Sequence, residues 1–120
     1  MTINTTTLSG HAAADPESRD FESGAVVTRF TLYQNEYRGE DQDEKVHRFH
    51  VEAWGGVAKY LKKHLHKGSL AVVQGTLIED TWQDDQGNRS RIIVKATRVE
   101  ILAKAKDHDE TAAYDDDPEF

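Results

Sequence analysis

The sequence predicts an all-β fold: a five-stranded Greek-key barrel with one α-helix between the third and fourth strands, followed by an acidic tail predicted to be disordered. Three observations carry this reading. Apolar and polar residues alternate over Ala25 to Asn35 and again over Val46 to Trp54, the period of strands buried on one face. Val57, Leu61 and Leu65 recur at four-residue spacing, which is one face of a helix. Beyond Lys104 the chain is too poor in apolar groups to build a core.

Taken in order, Thr5 to His11 is Thr-rich, carries Leu8 and meets Gly10 near its end, a strand signal. Ala12 to Ser23 holds an Asp15-Pro16 turn, then Arg19 and Phe21, then a Ser23-Gly24 turn, so the segment reads as a short hairpin leading into a strand. In Ala25 to Asn35 the inward set is Val26, Phe30 and Leu32, and the outward set is Arg29, Thr31 and Tyr33. Gly39 to Glu44 is a charged loop. Val46 to Trp54 then turns Phe49, Val51 and Ala53 inward and Arg48, His50, Glu52 and Trp54 outward, and that outward row is the candidate binding surface.

Gly55-Gly56 interrupts the strand and the helix follows. Lys62, Lys63, His64, His66 and Lys67 crowd its end, where cations favour the negative pole of the helix, and Gly68 is its expected stop. Ser69 to Trp82 reads as a long strand with Val73 and Leu77 inward and Ile78, Asp80 and Trp82 outward, unless a bulge at Gly75 shifts the pleat. A polar hairpin separates it from the last strand, Arg91 to Leu102. Five strands with a helix between the third and fourth is the arrangement of an OB-fold. The expected organisation is a barrel over residues 1–103 and a tail over residues 104–120.

Composition limits the function. A chain of 120 residues supports one domain with a modest core, and an ordinary two-domain enzyme does not fit. No apolar run approaches the roughly 20 residues of a membrane span, and Met1-Thr2-Ile3-Asn4 lacks the basic start of a secretory signal, so a soluble, cytoplasmic protein is expected. With no cysteine there is no disulfide, thiol chemistry or cysteine-bound zinc. His47 and His50 face opposite ways on a strand, and His64 and His66 diverge around the helix, so neither pair makes a metal site. No phosphate-cradling glycine loop, serine elbow or paired-carboxylate constellation stands out, so no cofactor, metal or catalysis is expected. The net charge is −7, of which −2 lies in Met1–Ala103 (13 basic, 15 acidic) and −5 in Lys104–Phe120 (2 basic, 7 acidic). A barrel without excess positive charge would hold nucleic acid by stacking and a few local cations rather than by a broad field.

Short patterns now fall into one order: Asp15-Pro16-Glu17, Ala53-Trp54-Gly55, Lys67-Gly68-Ser69, Gly75-Thr76-Leu77 and Trp82-Gln83-Asp84-Asp85-Gln86-Gly87. In that order and spacing, over roughly Thr2 to Leu102, the chain resembles the DNA-binding domain of the bacterial single-stranded DNA-binding proteins. The resemblance implies sequence-nonspecific binding of single-stranded DNA, exposed in replication, recombination and repair, by a homotetramer associated with the nucleoid. It implies that Tyr37, Trp54 and Trp82 stack on bases, with Arg48 and His50 beside Trp54 and with Lys67, Arg89 and Arg91 as phosphate contacts. Stacking of this kind contributes about 1 to 3 kcal/mol per base and serves every base. Against this, an indole is mostly buried on average, so Trp54 plugging the barrel and Trp82 packing under its hairpin are the plain structural alternatives.

The chain departs from its relatives in places. Arg48 stands where the third strand usually presents another aromatic; its guanidinium plane can stack on a base and adds charge. Ile78, Glu79 and Asp80 replace the basic residues that usually precede the tryptophan, and Glu52 and Asp80 are expected to face the DNA and repel its phosphates. Weaker, more salt-sensitive or shorter-site binding follows.

The chain closes Asp115-Asp116-Asp117-Pro118-Glu119-Phe120. In relatives an acidic tip ending in proline and phenylalanine docks replication and repair proteins, the acids meeting a basic rim and the ring with its α-carboxylate a small pocket. Here Glu119 separates Pro118 from Phe120, which alters that register, and an ordinary solubilising tail is the plain alternative. Two rivals remain at this level: a paralogous OB-fold module that recruits proteins and binds DNA poorly, favoured by the acidic outward positions, and a small hydrolase or nucleotide-binding enzyme, for which no constellation is found.

Overall fold

The computed structural model describes residues 1–40 and 44–103. Its elements are β1 (Thr6–Ala12), β2 (Glu17–Asp20), β3 (Val26–Glu36), β4 (Lys45–Trp54), α1 (Gly55–His64), β5 (Leu70–Asp84) and β6 (Gly87–Ala103). The sheet order is β1-β5-β6-β4-β3-β2, and an extra pairing of β1 with β3 closes β1, β3, β4, β5 and β6 into a ring. This is the expected five-stranded barrel, with the helix between its third and fourth strands. β2 is an addition: a short, exposed edge strand that pairs only with β3, running from Glu17↔Arg29 to Asp20↔Val26. Phe21 lies just past it in a turn, where its N–H donates to the Ala25 carbonyl (2.8 Å) and its carbonyl accepts from Gly24 (2.9 Å).

The core follows the strand alternation. Phe30 and Leu32 of β3, Val51 and Ala53 of β4, Ala71 and Val73 of β5, and Val94, Ala96 and Ile101 of β6 are all buried in one cluster. α1 packs Ala58 and Leu61 into the same cluster, with Leu65 just beyond it and Val57 and Tyr60 partly buried. Removing this apolar area from water is the main favourable contribution to the fold. The helix is also pinned by a polar contact: the Thr28 hydroxyl, fully buried, donates to the Ala58 carbonyl at 2.8 Å and meets the Ser18 hydroxyl at 2.8 Å.

Three boundaries differ from the sequence reading. The helix begins at Gly55 itself and ends at His64 rather than Gly68, because Leu65 turns extended (φ −84°, ψ 135°). Gly68 instead takes a left-handed φ of 89° in the turn that leads into β5. The two strands reach further into the polar hairpin than Trp82 and Arg91: β5 continues to Asp84 and β6 starts at Gly87, leaving only Asp85 and Gln86 at the tip. Leu77, expected inside unless a bulge at Gly75 shifted the pleat, is 44% exposed, and the register does shift between Gln74 and Gly75. The pairing of β1 with β5 stops at Thr6↔Gly75, and beyond it the Asn4 side chain brackets Leu77, donating to its carbonyl (2.8 Å) and accepting from its N–H (2.9 Å). From there β5 and β6 leave the barrel as a two-stranded ribbon, so Leu77 lies beyond the strands that would have covered it.

The ladder of that ribbon shifts register between Gln74 and Gly75. A side chain at Gly75 would run into the Lys95 main chain, with the carbonyl carbon 2.8 Å from its Cβ, so the bend depends on glycine there.

Candidate nucleic-acid interface

Side chains on the outer face of β3 and β4 stand in cross-strand pairs fixed by the antiparallel register: Tyr33 with Arg48, Thr31 with His50, Arg29 with Glu52 and Val27 with Trp54. Arg48, His50 and Trp54 are exposed. The Trp54 indole is 41% exposed, so it does not plug the barrel. One face is stacked on Phe21, with centroids 5.7 Å apart and planes 15° from parallel, and the Arg19 guanidinium lies 5.0 Å from the Phe21 centroid. Phe21 thus contacts both the indole of Trp54 and the guanidinium of Arg19.

Next to this face is an open cleft of about 330 Å³, lined among others by Asp15, Arg29, His50, Glu52, Arg91 and Ile93. Arg91 and Ile93 come from β6, so the cleft joins the outer face of the barrel to the base of the ribbon. On the ribbon Trp82 pairs across the ladder with Arg89, and Asp80 with Arg91. Trp82 is 42% exposed and the Arg91 guanidinium lies 5.6 Å from its ring centroid. Both indoles are therefore presented to solvent, and each lies beside a cation or a second ring.

A barrel of this topology carrying two open indoles calls for comparison with known proteins. The model of the single-strand binding protein family matches residues 3–105. The chain belongs to that family. It is also 35% identical over its whole length to single-stranded DNA-binding protein 1 of Synechocystis, with 100% of each chain covered. Similar proteins include single-stranded DNA-binding protein 1 of Nostoc (36% identical, 91% of each chain) and the single-stranded DNA-binding protein of Thermosynechococcus vestitus (37%, 93% of this chain and 92% of the relative). The family is one of binding proteins, and among the described residues no helix is long and apolar enough to cross a membrane.

Within this family member the remaining predicted residues are not all gathered at one place: Tyr37 follows Glu36, at the end of the β3–β4 pair away from Trp54. Tyr37, just past β3, is 72% exposed. Lys67 is exposed, and its backbone N–H donates to the Asp15 carboxylate at 2.8 Å, which sets it beside the loop that forms one wall of the cleft. Arg89 lies 3.3 Å from Asp84 and donates to the Gln86 side chain at 3.3 Å, so it is tied to the ribbon tip. The tip residues Asp115 to Phe120 lie outside the described residues.

Glu52 and Asp80, the acids expected to face the DNA, each have an arginine partner. Glu52 is only 8% exposed, and its carboxylate accepts from Arg29 Nε and lies 2.9 Å from a second guanidinium nitrogen. Asp80 pairs with Arg91 at 3.4 Å. Each acid is matched by an arginine on the adjacent strand, so the face is closer to neutral than its acids alone suggest. The strand alternation placed Glu52 on the outer row correctly; only the sheet pairing reveals the cation across from it.

Phe21, Arg19 and Arg29 are members of this surface that the motifs did not single out. Phe21 reads as a strand residue before a turn, and its contact with Trp54 joins residues far apart in sequence, so no local pattern signals it. Arg29 was legible as outward-facing, yet nothing local told that Glu52 would sit opposite. At the far end of the same two strands the His47 ring N–H donates to Glu36 at 2.6 Å. That hydrogen bond, aided by the charges of His47, Arg38 and Lys45, holds the Glu36 carboxyl below its ordinary value.

Proposed function

We propose that this protein binds single-stranded DNA without sequence preference. Unpaired bases stack on Trp54, Trp82 and Tyr37, while Arg48, His50, Lys67, Arg89 and Arg91 meet the backbone or add a stacking plane. The observation that carries this reading is that both tryptophans stand about two-fifths open to water, one on the barrel face and one on the ribbon. An open indole offers a flat apolar face that any base can cover, and each covered base contributes about 1 to 3 kcal/mol. Strands exposed in replication, recombination and repair are the natural substrate. The acidic tip Asp115 to Phe120 recruits replication and repair proteins, and the working form is a homotetramer in the nucleoid-associated cytoplasm.

The test is a titration with oligo-dT while following tryptophan emission. Strong quenching that saturates at tens of nucleotides or fewer per oligomer supports the reading, and an unchanged emission at low salt overturns it. The rival reading, a protein-recruiting module that binds DNA poorly, drew its support from acidic outward positions. Pairing of Glu52 with Arg29 and of Asp80 with Arg91 removes most of that support.

A further inference from the structure

We infer that Arg29 is a phosphate contact for the bound strand and that Glu52 is the residue that positions it. The inference rests on the single-stranded DNA reading above. Arg29 projects from the outer face of β3 with its side chain 59% exposed, and it lines the cleft between Trp54's strand and Arg91 of the ribbon. Its guanidinium is not free to wander. Glu52 Oε1 engages Nε and one terminal nitrogen, each at 2.9 Å, which leaves the other terminal nitrogen and the outer edge of the fork uncommitted by that pair.

The asymmetry of exposure decides the role of each partner. Glu52 is only 8% exposed and offers little of its carboxylate to the cleft, whereas Arg29 covers it and faces the solvent. A buried carboxylate needs its cation, and a cation held this way loses little further side-chain freedom when a phosphate arrives. Glu17, the other cross-strand neighbour of Arg29, is exposed on the edge strand, where solvent screens it. The acidic residue that looked like an obstacle to DNA thereby becomes the mount of a binding cation.

Salt dependence of oligo-dT binding by the full chain tests this, because each phosphate neutralised on a single strand adds about 0.7 to the slope of log K against log salt. The double variant Arg29→Gln, Glu52→Gln keeps net charge, replaces Glu52 by an isostere and leaves no buried charge unpaired. It is expected to bind several-fold more weakly, with the slope shallower by about 0.7. Circular dichroism melting confirms that the double variant is folded. Glu52→Gln alone gives a test of sign: removal of a negative charge would by itself strengthen binding, whereas loss of the mount weakens it. The same substitution in an Arg29→Gln background has no mount to lose and is expected to leave binding unchanged or stronger. A double variant with the wild-type slope, whatever its affinity, overturns the phosphate contact, and tighter binding by Glu52→Gln in the wild-type background overturns the positioning role. Absence of binding by the wild-type protein overturns the parent reading along with this one, and is distinguishable because no variant is needed to see it.

Discussion

Phe21 lies nearly parallel to Trp54, 5.7 Å between ring centroids, and so backs one face of an indole that is 41% open to water. The contact ties the turn after β2 to the end of β4, just where α1 begins. A ring backed in this way is held in one orientation before any base arrives, and aromatic pairs of this geometry contribute about 0.5 to 1.5 kcal/mol beyond the area they bury.

Trp54→Ala is therefore expected to weaken oligo-dT binding by about 1 to 3 kcal/mol, the worth of one stacked base, and Trp82→Ala by a similar amount. Phe21→Leu keeps apolar bulk but not the flat backing, and a smaller loss is expected. Single-tryptophan variants titrated by emission report each indole separately. If either fails to quench while the other does, the silent indole is not a stacking platform.

Gly75 has no room for a side chain, since its Cβ would strike the Lys95 main chain at the register shift of the ribbon. Overpacking of this kind costs about 1 to 3 kcal/mol, more where backbone must move. Urea unfolding of Gly75→Ala is expected to show at least that loss, and Gly10→Ala, whose Cβ would lie 3.1 Å from Leu32 and against the Tyr33 carbonyl, is expected to follow it.

Thr28→Val keeps the shape of a fully buried side chain but removes the hydroxyl that binds the Ala58 carbonyl. The substitution also removes the contact with the Ser18 hydroxyl; each lost hydrogen bond is worth about 0.5 to 1.5 kcal/mol, and the cost is expected in thermal stability. Because the bond to the Ala58 carbonyl ties α1 to β3, amide exchange is expected to rise most in the helix.

Glu36 gives a pH signature. Its folded-state value is depressed, chiefly by the hydrogen bond from His47, so the stability it contributes is present above the ordinary value of 4.5 and is lost as pH falls through the lower folded value. The pair is exposed and screened, so the effect is small and shrinks with salt. A side-chain carboxyl titration by NMR is expected to place the Glu36 midpoint below 4.5, and His47→Gln to bring it back toward that value.

Deletion of Asp115 to Phe120 removes acidic charge and the terminal ring together. Capture of replication and repair partners is expected to be lost while oligo-dT affinity is kept or improved. Intact partner capture after the deletion would rule out docking through the tip.

The barrel itself was written in local pattern. Alternation in β3 and β4 sorted Phe30, Leu32, Val51 and Ala53 from Arg29, Thr31, Arg48, His50 and Trp54, because a strand with one buried face must alternate, and four-residue spacing of Val57, Leu61 and Leu65 marked the helix. The order of the short motifs around Trp54 and Trp82 was enough to indicate the family. What local pattern cannot carry is partnership across the sheet. The stacking of Phe21 on Trp54 and the cover of Glu52 by Arg29 depend on the register of β2, β3 and β4, and the projection of the β5–β6 ribbon depends on where β1 stops. Register between strands is not contained in any local window of sequence, and it decided which charges are neutralised and which side chains stay in water.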